Sequence, residues 1–176
     1  MDGARLFNAT VQSGVSARDY AVPFDSLWID LTKGLGSFAG AVLAGSRAFI
    51  NDAWKLKQQW GGGLRQSGYI AATGLYALDH HIDRLADDHA LARSIGESIA
   101  AMPNVEKVLL VETNIVIFEI SDRGPTAAKV VAALLRHGVR LGVFGERTIR
   151  IVCHLGVNPA AGSLLCRHLP GALQAD

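Results

Sequence analysis

Residues 25–45 read Asp25-Ser-Leu-Trp-Ile-Asp-Leu-Thr-Lys-Gly-Leu-Gly-Ser-Phe-Ala-Gly-Ala-Val-Leu-Ala-Gly45, and this stretch decides the fold. The short apolar run from Leu27 to Leu31 has the length of a buried strand. It stops at Thr32-Lys33, and Gly34, Gly36 and Gly40 follow among small residues. A lysine at the tip of such a strand has two readings. Desolvation favours the uncharged amine, the form that attacks a carbonyl. Alternatively, the side chain reaches water where the strand stops, as isolated lysines usually do.

Upstream, Ala4 to Gln12 has a helical pattern, which puts Asp2 and Arg5 on one face at its start. Asp2 there reads as a helix N-cap. Gly14, Ser16 and Pro23 mark residues 14–24 as a loop. Downstream, Ala41 to Leu43 is a second short strand. Ser46 then caps a helix through Phe49, Ile50 and Trp54 to about Trp60, where Gly61-Gly62-Gly63 stops it. The glycine triplet lacks the spacing of a phosphate-binding loop and is equally a hinge. From Tyr69 a long helix is expected, with Ile70, Leu75, Leu78, Ile82 and Leu85 as its apolar stripe. The charges from Asp79 to His89 fall on the other positions. His80, His81 and His89 match no metal-ligand motif and read as part of a solvated face, so no metal site is expected.

Residues 91–102 continue as a helix that Pro103-Asn104 ends, which divides the chain into domains 1–103 and 104–176. The second alternates strands at 105–111 and 114–120, a helix at 126–137 closed by Gly138, and a strand at 139–143. A loop at Gly145-Glu146, a strand at 148–153 and a helix at 158–168 complete a small α+β domain. Arg150 lies mid-strand between Ile149 and Ile151, a position that faces solvent or else requires a partner.

Composition narrows the function classes. The chain has 176 residues, 49% of them hydrophobic, which is ample for a core. A net charge of +1 with no basic cluster argues against a nucleic-acid footprint. No apolar stretch approaches the roughly 18 residues that span a bilayer, and no signal peptide is visible. Cys153 and Cys166 read as buried thiols. The expectation is a cytoplasmic protein with no membrane partner.

Five segments then carry a resemblance. Thr32-Lys-Gly-Leu-Gly-Ser-Phe-Ala-Gly-Ala-Val-Leu-Ala-Gly45 resembles the cofactor-lysine segment of the L-threonine aldolases. Met1-Asp-Gly-Ala-Arg-Leu-Phe-Asn8 resembles their D-G-A-R segment, and Gly61-Gly-Gly-Leu-Arg-Gln-Ser-Gly68 their G-G-G-x-R-Q segment. Glu112-Thr-Asn-Ile-Val116 and Ile149-Arg-Ile-Val-Cys-His-Leu155 resemble their T-N-I-V and R-x-V-x-H-L strands.

The resemblance implies an α/β, aspartate-aminotransferase-like fold, with part of the large domain followed by a small α+β domain. It also implies a pyridoxal 5'-phosphate (PLP) enzyme that cleaves threonine or allo-threonine to glycine and acetaldehyde. Lys33 would carry PLP as a Schiff base, and Asp2 would hold the ring nitrogen protonated. Arg5 would lie near the ring's phenolic oxygen and the substrate carboxylate. Arg150 would bind that carboxylate, and Arg65 would reach a site, often across a subunit boundary. The family forms dimers and tetramers. In the family a long N-terminal portion precedes the D-G-A-R segment, with the phosphate-cupping loop and a stacking side chain, usually histidine. These residues look like the C-terminal part, and little or no activity is expected of them alone. The alternatives are a non-catalytic or partner-binding remnant, or another fold-type-I PLP lyase or hydroxymethyltransferase.

Overall fold

A computed structural model describes residues 1–174 and divides into two units, Met1–Leu85 and a second beginning at Ala86. The first is built around β2 (Ser26–Asp30). It pairs in parallel with β1 (Asp2–Gly3) and antiparallel with β3 (Ala41–Gly45), in the order β1-β2-β3. Successive side chains of a strand point to opposite faces. Ile29 therefore goes one way and packs with Phe7 of α1 (Leu6–Ser13) against a small core of Leu31, Leu35 and Ala77. Trp28 and Asp30 go the other way. In register with Trp28 on the neighbouring strand is Asp2. The strand is half-buried along its length rather than fully buried as the apolar run suggested, because only one face has a core beneath it.

Local signals set the remaining elements of this unit. Residues 14–24, expected as a loop, contain the short helix α2 (Ala17–Ala21). Ser16 starts it by accepting the Asp19 N–H at 3.1 Å while its hydroxyl donates to the Asp19 carboxylate at 2.7 Å. Ser46 caps α3 (Arg47–Gln59) as expected, accepting from Phe49 N. The single long helix expected from Tyr69 is broken. Here α4 (Gly68–His80) stops, and α5 (Leu85–Ala100) starts after a turn in which the half-buried His81 Nδ1 lies 2.6 Å from the Leu35 carbonyl. A tertiary hydrogen bond outcompetes helical continuation there. The buried face of α4 also differs from the expected stripe. Leu75 is 62% exposed, whereas Gly74 and Ala77 are buried. At Gly74 a Cβ would lie 2.8 Å from Leu31 Cδ1, so a larger residue there would push the Leu31 side chain aside.

The second unit folds on an antiparallel sheet of order β4-β5-β7-β6, formed by Val105–Val108, Ile115–Ile120, Thr148–Val152 and Gly142–Val143 respectively. Alternation sends Val116, Phe118 and Ile120 of β5, with Ile149 and Ile151 of β7, into one continuous core. Helices α5, α6 (Ala127–Leu135) and α7 (Pro159–Ala172) close over it with Ile95, Ile99, Val130, Leu134, Leu165 and Leu169. Thr126 and Asn158 cap α6 and α7, and Gly138 takes φ +77° just past α6. The strands expected at 105–111 and 139–143 are shorter than their apolar runs, and α7 runs on to Ala172 through Pro170.

Two further expectations change. The contact boundary lies at 85/86, not at Pro103-Asn104, because α5 gives Ala92, Ile95 and Ile99 to the second core. The face expected to be solvated is not uniformly so. Asp88 and His89 are 2% and 1% exposed, since α5 turns that side toward the unit. Burial pushes the His89 imidazole down in pKa, with Arg93 adding to the effect and Asp88 opposing it. Cys153, buried, and Cys166, partly buried, are both thiols. No helix among the described residues is long and apolar enough to cross a membrane.

Candidate active site

The turn after β2 is built by one carboxylate. Asp30 Oδ1 accepts from the Thr32 N–H and the Thr32 hydroxyl, both at 2.6 Å, and from the Lys33 N–H at 3.2 Å. Asp30 Oδ2 accepts from the Lys33 ammonium at 2.6 Å. That ammonium stands 5.1 Å from the centroid of the Trp28 ring, within cation–π range. The lysine therefore does not run out into water where the strand stops. It folds back over the sheet face that carries Trp28, Asp30 and, on the next strand, Asp2. The Asp30 side chain is 13% exposed and that of Lys33 35%, so the pair is shielded but reachable. Burial alone would raise the Asp30 carboxyl. The hydrogen bonds from Lys33 and Thr32, with the lysine's charge, outweigh it and hold the group at about 2.

Asp2 is exposed on this face, and its Oδ1 accepts the Ala4 N–H at 3.0 Å. It sits in strand β1 rather than capping α1, whose N-cap position is Arg5. Arg5 is partly buried and lines a narrow cleft together with Asp30 and Gly34. Gly34, next to the lysine, is buried, and a Cβ there would lie 2.6 Å from the Asn8 side-chain oxygen and 3.2 Å from Leu85. A side chain at this point would have to displace the buried Asn8 side chain.

Arg65 and Arg150 lie elsewhere in the chain. Arg65 is exposed in the turn between α3 and α4, after the glycine triplet. Arg150 belongs to the second unit, where it is exposed on β7 with its guanidinium carbon 5.1 Å from the Phe144 ring centroid. It borders a cleft of about 360 Å³ shared with Arg140, Leu141, His154 and Val157. His154 Nδ1 accepts the Gly156 N–H at 3.1 Å, so its other nitrogen is the one available to that cleft.

Comparison with known proteins gives the family and the fold. The sequence profile of the family described as "Beta-eliminating lyase" matches residues 1–123, from the Asp2 strand through Lys33 and into the second unit. The chain belongs to the beta-eliminating lyase family. It is 36% identical over 156 residues to the low-specificity L-threonine aldolase 1 of Arabidopsis thaliana, covering 88% of this chain and 44% of that one. It therefore spans about half the length of the curated relatives it matches. A solved structure from Listeria monocytogenes, assigned as an L-allo-threonine aldolase, superposes with a TM-score of 0.76 at 23% identity. That superposition covers 98% of this chain and 51% of the other. A transaminase from an ancestral-reconstruction series superposes at 0.64 with 18% identity, covering 98% and 42%. The fold of this family member is that of the PLP-dependent, aspartate-aminotransferase-like enzymes, present here as part of such a chain.

Sequence reading passed over Asp30, Trp28 and Asn8. Asp30 sits inside the apolar run from Leu27 to Leu31, and an acid in that position is itself the signal. Trp28 and Asp30 are two apart, the spacing that puts both on one face of a strand. Nothing local marks Asn8, which is 2% exposed because Gly34 packs against it.

Proposed function

We propose that this chain serves PLP-dependent aldol cleavage of threonine or allo-threonine to glycine and acetaldehyde, with Lys33 as the cofactor's attachment point. The observation that carries the reading is the shared sheet face. A primary amine turned back over an aromatic ring and a carboxylate one strand away are the two groups a pyridine aldehyde requires. The residues present therefore fit the group. When bound, PLP supplies the electron sink that takes up the charge left as the Cα–Cβ bond breaks.

The chain's own residues divide the remaining work. Lys33 offers its amine to an aldehyde carbon. Asp2, on the neighbouring strand, keeps a proton at a ring nitrogen. Arg5, beside Asp30 and Gly34, supplies positive charge near the same face. Arg150 carries a planar two-donor fork suited to an amino acid's carboxylate. Arg65, on its glycine-led turn, is a further carboxylate contact, and a homodimer or homotetramer is the assembly in which it serves.

The full-length protein is incubated with PLP, reduced with borohydride and mapped by peptide mass. Label on Lys33 is expected. Label on Lys55, Lys57, Lys107 or Lys129 in its place overturns the assignment.

A further inference from the structure

We propose that Asp30 is a positioning residue for Lys33: one carboxylate oxygen builds the turn that presents the lysine, and the other parks its ammonium over Trp28. The division of labour is visible in the geometry. Oδ1 takes three donors from Thr32 and Lys33, all within the turn, and Oδ2 takes the ammonium at 2.6 Å. Three donors on one oxygen fix the direction in which Lys33 leaves the backbone. The ion pair, with the ring 5.1 Å away, then fixes the far end of the side chain.

The parked state has a chemical consequence. An amine held as an ammonium against a carboxylate has no lone pair to give. Lys33 reacts only in the fraction of molecules that have left Asp30 and passed a proton to solvent. Asp30 thus holds the nucleophile in place and keeps it quiet until it is displaced. That Lys33 is the cofactor-bearing amine rests on the function proposed above, but the latch can be tested without any cofactor.

The test uses trace acetic anhydride on the full-length protein at about pH 8. The amine attacks the anhydride carbonyl, acetate leaves, and the proton goes to buffer. Acetylation of Lys33 is read by peptide mass against the exposed Lys107 and Lys129 in the same sample. Asp30→Asn keeps one acceptor oxygen but replaces the other with an NH2 group that cannot hold an ammonium. Its Lys33 labelling should rise about three- to tenfold, with amide exchange at Thr32 and Lys33 as slow as in the parent. Asp30→Ala removes both oxygens, so labelling and exchange should both rise. Labelling within about twofold of the parent in both variants overturns the proposal. So does turn exchange in Asp30→Asn as fast as in Asp30→Ala.

Should either variant fail to fold, the unaltered protein decides. Raising NaCl from about 0.05 to 1 M should increase relative Lys33 labelling at least about twofold, because salt screens the half-open pair. No increase overturns the latch. Borohydride mapping with PLP stands apart from these readouts. Label away from Lys33 with the acetylation pattern intact would remove the proposed function and leave the latch standing.

Discussion

The two units of this chain bury apolar surface very differently. The second encloses a continuous core, with Phe118, Leu134, Ile149, Leu169 and Leu173 each fully buried. The first buries Leu6, Leu31, Leu35, Ala77 and Leu85, while every residue of β3 is exposed and α3 has none buried. Phe38, Trp60 and Tyr69 in that unit are each more than 80% exposed. Yet the first unit holds the lysine, the paired acid and the glycine packed against Asn8 and Leu85. The larger core and the Lys33 turn lie in different parts of the sequence. Apolar groups at this exposure contribute little to stability until something covers them, so the precise geometry near Lys33 rests on local hydrogen bonds more than on packing.

The largest effect that would break this contrast is a core truncation. Phe118→Ala should cost about 3–5 kcal/mol, whereas Trp54→Ala, at a side chain 57% exposed, should change stability by no more than about 0.5 kcal/mol. Urea denaturation measures both, followed by β5 amide exchange for Phe118→Ala and by the fluorescence of Trp28 and Trp60 for Trp54→Ala. Comparable losses would show that the first unit is packed as firmly as the second.

A smaller effect sharpens the contrast at the site itself. Gly34→Ala places a methyl against the buried Asn8 and Leu85 and should cost about 1–3 kcal/mol. It should also disturb the cleft that Arg5 and Asp30 line, seen as faster amide exchange at Lys33. Gly171→Ala, in α7, meets nothing within 4 Å and is the neutral control. Equal behaviour of the two would show that Asn8 and Leu85 yield to a methyl at no cost.

The smallest effect separates the units by pH. His89, in the second unit, is held below its ordinary value of 6.5 by burial, so the unfolded chain binds the proton more readily. Stability from this group is therefore lost as pH falls below about 6.5. Asp30, in the first unit, is held at about 2 against an ordinary 3.8. Its contribution is present above that ordinary value and is lost as pH falls from about 4 toward 2. With the half-open lysine screened by solvent, it amounts to about 1–2 kcal/mol. Trp28, Trp54 and Trp60 all lie in the first unit, so tryptophan fluorescence reports that unit and β5 amide exchange the other. Between pH 7 and 5 exchange in β5, corrected for intrinsic rates, should quicken while fluorescence holds. Fluorescence changing first would reverse the assignment.

Sequence alone determined the strand that stops before Thr32-Lys33, the helix capped at Ser46, the helix near 126–137, and the strands at 114–120 and 148–153. These follow from patterns within a few residues: an apolar run and its stop, a hydroxyl before a helix, and alternation. It also determined the family, through the lysine, D-G-A-R and glycine-arginine segments together. Tertiary structure decided what lies across the chain. It decided that α4 stops where His81 meets Leu35, that Gly74 rather than Leu75 faces inward, and that His89 is buried. It decided, too, that α5 belongs with the second core. Above all it decided where the Lys33 ammonium rests. Sequence puts a lysine at a strand's end, but only the folded turn brings that charge back onto Asp30 and over Trp28. The reason is physical: local pattern fixes backbone conformation, while burial and charge pairing depend on neighbours that the chain supplies from a distance.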